Sequence, residues 1–402
     1  MQIPPYVKTA IEMLNKGGYE CYLVGGCVRD MLMGKEPHDY DLTTSARPEQ
    51  MQQVFAECKV IETGIKHGTL TLLTDGGGVE ITTYRIDGDY KDNRRPESVS
   101  FTPNLKEDLA RRDFTVNAMA MDACGNLIDL YNGKDDIAAK LIRCVGDPER
   151  RFNEDGLRIL RALRFAAVLG FTIHDETADA IHNLSHLLGS ISAERVREEL
   201  FKLICGPSAE SVITQFAEVL LPFLPQISHK FLTEFTQLIG QLPPMPEVRL
   251  AALYALFSNE IGLDTAMSHL KTSNKQKKAA VDCCRIITAP PTDATQTAYT
   301  LGSVGESDFE LYLTTAQICG KNINPTLQTL AALRERGACY TISQLAVTGN
   351  DLILEGIAKG KGVGDCLNLL FTAVAEGKVQ NQKEKLLQYL KADCYESYPK
   401  GQ

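Results

Sequence analysis

The sequence predicts an α/β head followed by an all-α remainder. Short strand-like apolar runs, closed by glycine or asparagine, are confined to about the first 145 residues. From about residue 150 onward apolar residues recur at helical spacing almost throughout. No fixed-period repeat is present, and no apolar run approaches the ~18–20 residues a membrane-spanning helix needs.

In chain order, Tyr22-Leu23-Val24 is a short strand stopped by Gly25-Gly26. Thr69-Leu70-Thr71-Leu72-Leu73 and Val79-Glu80-Ile81-Thr82-Thr83-Tyr84 flank Asp75-Gly76-Gly77-Gly78, which predicts a β-hairpin. Leu127-Ile128-Asp129-Leu130-Tyr131, between Gly125-Asn126 and Asn132-Gly133, is a further strand. Beyond the head, helices are expected to break at Gly206-Pro207, Pro243-Pro244, Pro290-Pro291 and across 360–364.

With 402 residues the chain can bury a sizeable core. Charged residues make up 23%, and Gly plus Pro (31 and 17) are ordinary, so wholesale disorder and collagen-like classes are excluded. The net charge of −9 excludes a non-specific polycation for nucleic acid but not an enzyme with locally basic groups. Met1-Gln2-Ile3-Pro4-Pro5 has neither a basic nor an apolar segment of a signal peptide, so none is expected. The 12 cysteines include no C-x-x-C pair and no zinc-spaced quartet. Reduced, mostly buried thiols in a cytoplasmic chain are expected, with no membrane and no DNA partner.

The chemistry is concentrated in the head. Gly25-Gly26 closes a strand and opens a helix. Glycines let a phosphate approach the backbone, and a helix N-terminus offers N–H donors. Arg29 lies close enough to join the same phosphate. His38-Asp39-Tyr40-Asp41-Leu42 follows. Placed on a strand, Asp39 and Asp41 point to one face, where their carboxylates repel unless a cation lies between them. Mg²⁺ suits such oxygens, taking one or two carboxylates with the rest of its shell from phosphates. Alone, this spacing favours a solvated strand end; behind a phosphate turn it reads as a metal site. Glu80 is a candidate third carboxylate or simply an exposed strand residue.

Arg111-Arg112 precede Asp113, a good N-cap type before an expected helical run. Either arginine could clamp a phosphate in bidentate fashion. The polar loop around Asp87–Arg95 reads as a mobile segment. Read as one helix, residues 153–168 place Asp155, Arg158, Arg161 and Arg164 three apart along one face, with Ile159, Leu160 and Leu163 on another. That is an amphipathic helix with a basic side, or a nucleotide site in which arginines reach phosphate and an Asp/Arg pair reads a base edge. Ala193–Phe201 is a further helix; its charges suit pairing within the helix, as for Arg195 and Glu199, or against the preceding helix.

Six stretches, in order, resemble the tRNA nucleotidyltransferase/poly(A) polymerase family in its class II, bacterial CCA-adding form. They are LVGGCVRDMLMG (23–34), HDYDLTT (38–44), DGDYKDNRRPESVSF (87–101), RRDFTVNAMAMD (111–122), EDGLRILRALRFA (154–166) and ERVREEL (194–200). Residues 349–387 look like the family's tRNA-contacting tail, departing from it at Lys359-Gly360-Lys361-Gly362-Val363-Gly364. The resemblance implies a polymerase-beta-like head (1–148), then a helical neck (149–206), body (207–289) and tRNA-binding tail (290–402). It implies Mg²⁺-dependent, untemplated addition of C, C and A to tRNA 3′ ends from CTP and ATP. By matching position, Gly26, Arg29 and Arg112 contact nucleotide, Asp39 and Asp41 hold Mg²⁺, Asp155 and Arg158 read the base, and Arg161 and Arg164 complete the site. It leaves Arg111 against Arg112, and a homodimer, open. A-only or CC-only addition, poly(A) polymerisation and a non-catalytic tRNA-binding module are the competing functions.

Overall fold

The structure is a computed structural model that describes residues 3–62, 64–87, 99–257 and 259–397. The chain divides into two compact units, Met1–Pro222 and Phe223–Gln402. The segment 88–98, which holds most of the predicted mobile loop, lies outside the described residues.

The first unit opens with α1 (Pro5–Lys16), β1 (Cys21–Val24), α2 (Gly26–Leu32), β2 (Asp41–Thr44), α3 (Pro48–Val54) and β3 (Lys59–Ile61). The predicted hairpin is β4 (Thr69–Thr74) and β5 (Gly77–Thr83), paired from Thr69↔Thr82 to Thr74↔Gly77. Next come β6 (Arg85–Asp87), β7 (Val99–Phe101), α4 (Leu105–Ala110), β8 (Met119–Met121), β9 (Leu127–Asp129), α5 (Gly133–Ala138) and β10 (Leu141–Ile142). Seven strands form one sheet in the order β3-β4-β5-β2-β1-β8-β9, while β6 and β7 pair separately. Within the large sheet only β2 and β5 run parallel.

Strand alternation gives this sheet two unlike faces. Cys21, Leu23, Leu42, Leu70, Leu72, Val79 and Ile81 point into a core closed by Ile11 and Leu14 of α1, Val28 of α2 and Met51 of α3. The intervening residues face the other way. There Val24 and Ala120 pack with Leu109 of α4, and the polar Asp41, Thr69, Glu80 and Thr82 border a cavity. One sheet therefore buries its apolar half under helices and leaves a polar face for chemistry.

The first unit continues with α6 (Pro148–Glu154), α7 (Leu157–Leu169), β11 (Thr172–Ile173), α8 (Asp175–Leu184), α9 (Ala193–Ile204) and α10 (Ala209–Leu220). Three local expectations are corrected here. The single helix over 153–168 is two: Asp155 is extended (φ −143°, ψ 104°), and α7 starts beyond Gly156. The helical run after Asp113 is one 3₁₀ turn, Thr115–Asn117, followed by the strand Met119–Met121. The helical remainder also contains a two-residue strand, β11, which pairs in parallel with β10.

The second unit, among its described residues, is helical: α11 (His229–Ile239), α12 (Pro246–Ala255), α13 (Glu260–His269), α14 (Asn274–Thr288), α15 (Ala294–Val304), α16 (Glu306–Ile318), α17 (Asn324–Glu335), α18 (Gly349–Leu354), α19 (Gly362–Ala375) and α20 (Lys383–Ser397). Every residue from Val248 to Ala255 is buried, because α12 is packed by α11, α13, α14 and α16. A separate apolar cluster joins Leu333, Leu352, Leu370, Phe371 and Leu386. The expected helix breaks at Gly206-Pro207, Pro243-Pro244 and Pro290-Pro291 appear; across 360–364 only Gly360-Lys361 lie outside a helix, because α19 starts at Gly362. The described cysteines are free thiols, and among described residues no helix is long and apolar enough to cross a membrane.

Candidate active site

The glycine turn is built as expected. Gly25 sits at φ +76°, a conformation L side chains rarely adopt, and α2 starts at the next residue. A Cβ at Gly25 would stand 3.1 Å from Nη1 of Arg112, and one at Gly26 3.5 Å from Nη2 of Arg29. Bare backbone and two guanidiniums thus meet at one turn. Arg29 is buried; it donates to Asn117 Oδ1 at 2.7 Å and pairs with Asp30 at 2.8 Å.

The carboxylates lie on the polar face. Asp41 is the first residue of β2 and pairs in register with Glu80 of β5. Asp39 precedes the strand, in a bend, rather than lying on it. The alternation nevertheless holds: Asp39 and Asp41 are exposed and Tyr40 between them is buried. Desolvation raises the Asp41 carboxyl above its ordinary value; Glu80 and Asp39 push it further, and Arg112 opposes them. Crowded like charges of this kind are relieved by a cation. Among described residues no three or more His, Cys, Asp and Glu side chains form a ready metal cage. Two carboxylates with an open side fit an ion that takes its other ligands from substrate phosphates and water. Asp41, Glu80, Arg85, Arg111 and Arg112 line a cavity of about 270 Å³.

Both members of the arginine pair converge on Asp108 of α4, which has no exposed surface. Arg111 donates to its Oδ1 at 2.9 Å and Arg112 to its Oδ2 at 3.3 Å, while Thr43 Oγ1 donates at 3.2 Å. Burial raises this carboxyl, but the two arginines outweigh it and hold the value low. Arg112 Nε is buried without a hydrogen-bond partner among the described residues. A donor of that kind beside the glycine turn is available to an anion.

Asp155, Arg158, Arg161 and Arg164 are held by different elements. Asp155 lies in the break between α6 and α7; its Oδ1 accepts the Leu157 N–H at 3.1 Å and its Oδ2 accepts Arg195 of α9 at 2.9 Å. Arg158, on α7, donates to Glu154 at 2.7 Å and to the Arg111 carbonyl at 3.1 Å. Arg161 donates twice to Asp113 Oδ2, at 2.8 and 2.5 Å, and Arg164 donates to Glu199 at 2.6 Å. Burial is the largest influence on the Asp113 carboxyl and raises it, but Arg161, Arg158 and the Asn117 amide together bring it down to about 2. Asp113 is therefore not a helix cap but the anchor of Arg161. Arg195 and Glu199 do not pair with each other; α9 braces its neighbours through Asp155, Arg161 and Arg164.

Sequence reasoning missed Asp108, Glu154 and the anchoring role of Asp113. Only Asp108 and Glu154 had a local signal, lying three to four residues from Arg111, Arg112, Arg151 and Arg158.

Three family models match in chain order: "Poly A polymerase head domain" over 21–143, "Probable RNA and SrmB- binding site of polymerase A" over 170–230, and "tRNA nucleotidyltransferase domain 2" over 247–390. A CCA-adding enzyme of Lactobacillus helveticus is 37% identical over 391 residues, 94% of this chain and 95% of that protein. The chain belongs to the CCA-adding enzyme family. A second member, from Geobacillus thermodenitrificans, is 37% identical across 96% of this chain and 97% of its own length. The solved CCA-adding enzyme of Bacillus stearothermophilus, in complex with CTP, superposes with a TM-score of 0.83 at 34% identity, covering 98% of this chain and 99% of that one. A Thermotoga maritima CCA-adding enzyme, 20% identical with a TM-score of 0.67, shares the fold. The mixed sheet and helices that open the chain are thus the polymerase-beta-like head of this family, and a largely helical remainder follows in sequence.

Proposed function

We propose that this protein completes tRNA 3′ ends, adding C, C and A from CTP and ATP without a nucleic-acid template and releasing pyrophosphate at each step. The observation that carries this reading is one cavity bordered by Asp41, Glu80 and Arg112, beside a glycine turn, with Arg158 donating to the Arg111 carbonyl. Near-full-length relatives that are CCA-adding enzymes, one solved with CTP, support it.

In this reading Gly26 offers backbone to the triphosphate, and Arg29 and Arg112 neutralise its charge. Asp39 and Asp41 would hold Mg²⁺, which supplies charge neutralisation of the phosphates and of the developing pyrophosphate. The protein itself orients the in-line displacement and needs no covalent nucleophile. Base choice follows from donor and acceptor order. Cytosine and adenine each present a ring-nitrogen acceptor beside an exocyclic amino donor. Arg158 donates to the first and Asp155 accepts from the second. Uracil and guanine present the reverse order and set donor against donor. Each Asp155 oxygen has a lone pair beyond the one it already shares with Leu157 or Arg195. Arg161 and Arg164 complete the site.

Incubation with a tRNA ending at its discriminator base tests this. CTP alone should add two nucleotides, CTP with ATP three, and UTP or GTP none. Addition of a single A only to tRNA already ending in CC would mark an A-adding enzyme. Long A tracts would mark a poly(A) polymerase. No addition at all would leave a tRNA-binding module.

A further inference from the structure

Three arginines assigned above to the nucleotide converge on one aromatic ring. The guanidinium carbon of Arg164 lies 3.6 Å from the centroid of Phe165, that of Arg29 5.3 Å and that of Arg161 5.4 Å. Phe165 is 6% exposed and meets Phe114, the residue after Asp113, edge to face at 5.7 Å. Arg29 comes from α2, whereas Arg161 and Arg164 come from α7.

Three like charges around one point repel, and carboxylates answer only part of the problem. Asp30, Asp113 and Glu199 accept from the N–H edges of these guanidiniums, which lie in the guanidinium plane. Arg29 and Arg161 are each held through more than one nitrogen, whereas Arg164 has one edge contact, to Glu199, which leaves rotation about it free. An aromatic face attracts a cation through its quadrupole and takes the flat side, which makes no hydrogen bond. For Arg164, edge and face together fix position and plane. An aliphatic side chain of similar volume would fill the space without attracting the cations.

We propose that Phe165 is a positioning residue for nucleotide binding: its ring is the shared platform that orients Arg164 at stacking distance and draws Arg29 and Arg161 toward the same point for the triphosphate. This rests on the reading that those arginines bind nucleotide. Phe165 itself touches no reacting atom. Its contribution is common to CTP and ATP, so it affects affinity and not base choice.

The test replaces Phe165 with phenylalanines carrying one, two and three ring fluorines in the full-length protein. These weaken the quadrupole stepwise at nearly constant size. KM for CTP and for ATP should rise together along the series, by about 3- to 10-fold at three fluorines, while kcat and the thermal midpoint hold. Phe165→Leu should raise both KM values at least as far. A KM that stays flat along the series, even where Phe165→Leu raises it, overturns the proposal and leaves Phe165 as packing. Arg164→Lys keeps the charge opposite Glu199 but loses the planar group. If it raises KM while the fluorine series is flat, only the platform fails; if it leaves KM unchanged, the assignment of the arginines fails first.

Discussion

Replacing Asp113 with Asn should destabilise the first unit by about 2 kcal/mol at neutral pH, and the loss should disappear in acid. The buried carboxylate takes two N–H donations from Arg161 on Oδ2, and on Oδ1 the Phe114 N–H at 2.9 Å and the Asn117 amide at 3.3 Å. Its value of about 2 lies roughly two units below an ordinary aspartate, and each unit is about 1.4 kcal/mol. Fully buried pairs cost about 3–5 kcal/mol when one partner is removed. Here Arg161 is 34% exposed and retains Glu199 at 3.7 Å, which keeps the loss below that range. The carboxyl is depressed in the folded state, so its contribution is complete above about pH 4 and fades as pH falls toward 2. Urea unfolding followed by circular dichroism at pH 7, 5, 4 and 3.5 should show a gap between wild type and Asp113→Asn that is constant down to about pH 4 and then narrows. A gap that ignores pH, or one below about 0.5 kcal/mol at pH 7, would refute the ion-pair reasoning. KM for both nucleotides should rise in the same variant, because Arg161 loses its anchor.

Asp41→Asn should abolish nucleotide transfer while leaving tRNA binding nearly intact, so full activity with Mg²⁺ would exclude Asp41 as a metal ligand. Glu80→Gln removes a like charge that raises the Asp41 carboxyl, so the acid limb of the rate–pH profile should move to lower pH; a limb that stays in place would mean the two carboxylates do not interact. A cut at residue 290 would open the packing of α14 on α16, so removal of the whole second unit is the cleaner truncation. Its loss should weaken tRNA affinity more than it slows transfer at saturating tRNA, and unchanged affinity in a folded protein would exclude a tRNA clamp there.

The sequence was most legible where chemistry is local. The glycine turn, the alternation through Asp39-Tyr40-Asp41 and the β4–β5 hairpin depend on neighbours two to five residues apart, and each forms as expected. Residues 118–121 failed because alanine and methionine favour helix, whereas the sheet recruited Met119–Met121 beside β1. The break at Asp155 had a local sign in Gly156, but the even spacing of the arginines masked it. Pairs such as Arg161 with Asp113, Arg164 with Glu199 and Arg195 with Asp155 join residues 35 to 48 positions apart. No periodicity reports contacts at that separation. The spacing showed where the cations sit but not that carboxylates from α9 and from the stretch before Phe114 hold them.

The central claim is that protein side chains, not a template, choose the base. An exchange of Asp155 and Arg158 would set like charges against Arg195 and Glu154, so truncation is the more direct probe. The measurement is kcat/KM for CTP, ATP, UTP and GTP on tRNA in Asp155→Ala, Arg158→Ala and the double variant. Two mispaired contacts at roughly 1–3 kcal/mol each correspond to discrimination of roughly 30-fold or more. Use of CTP and ATP should therefore fall much further than use of UTP and GTP, carrying the ratio toward unity in the double variant. An equal fall for all four nucleotides, or a preference for CTP and ATP that survives both truncations, would contradict the claim.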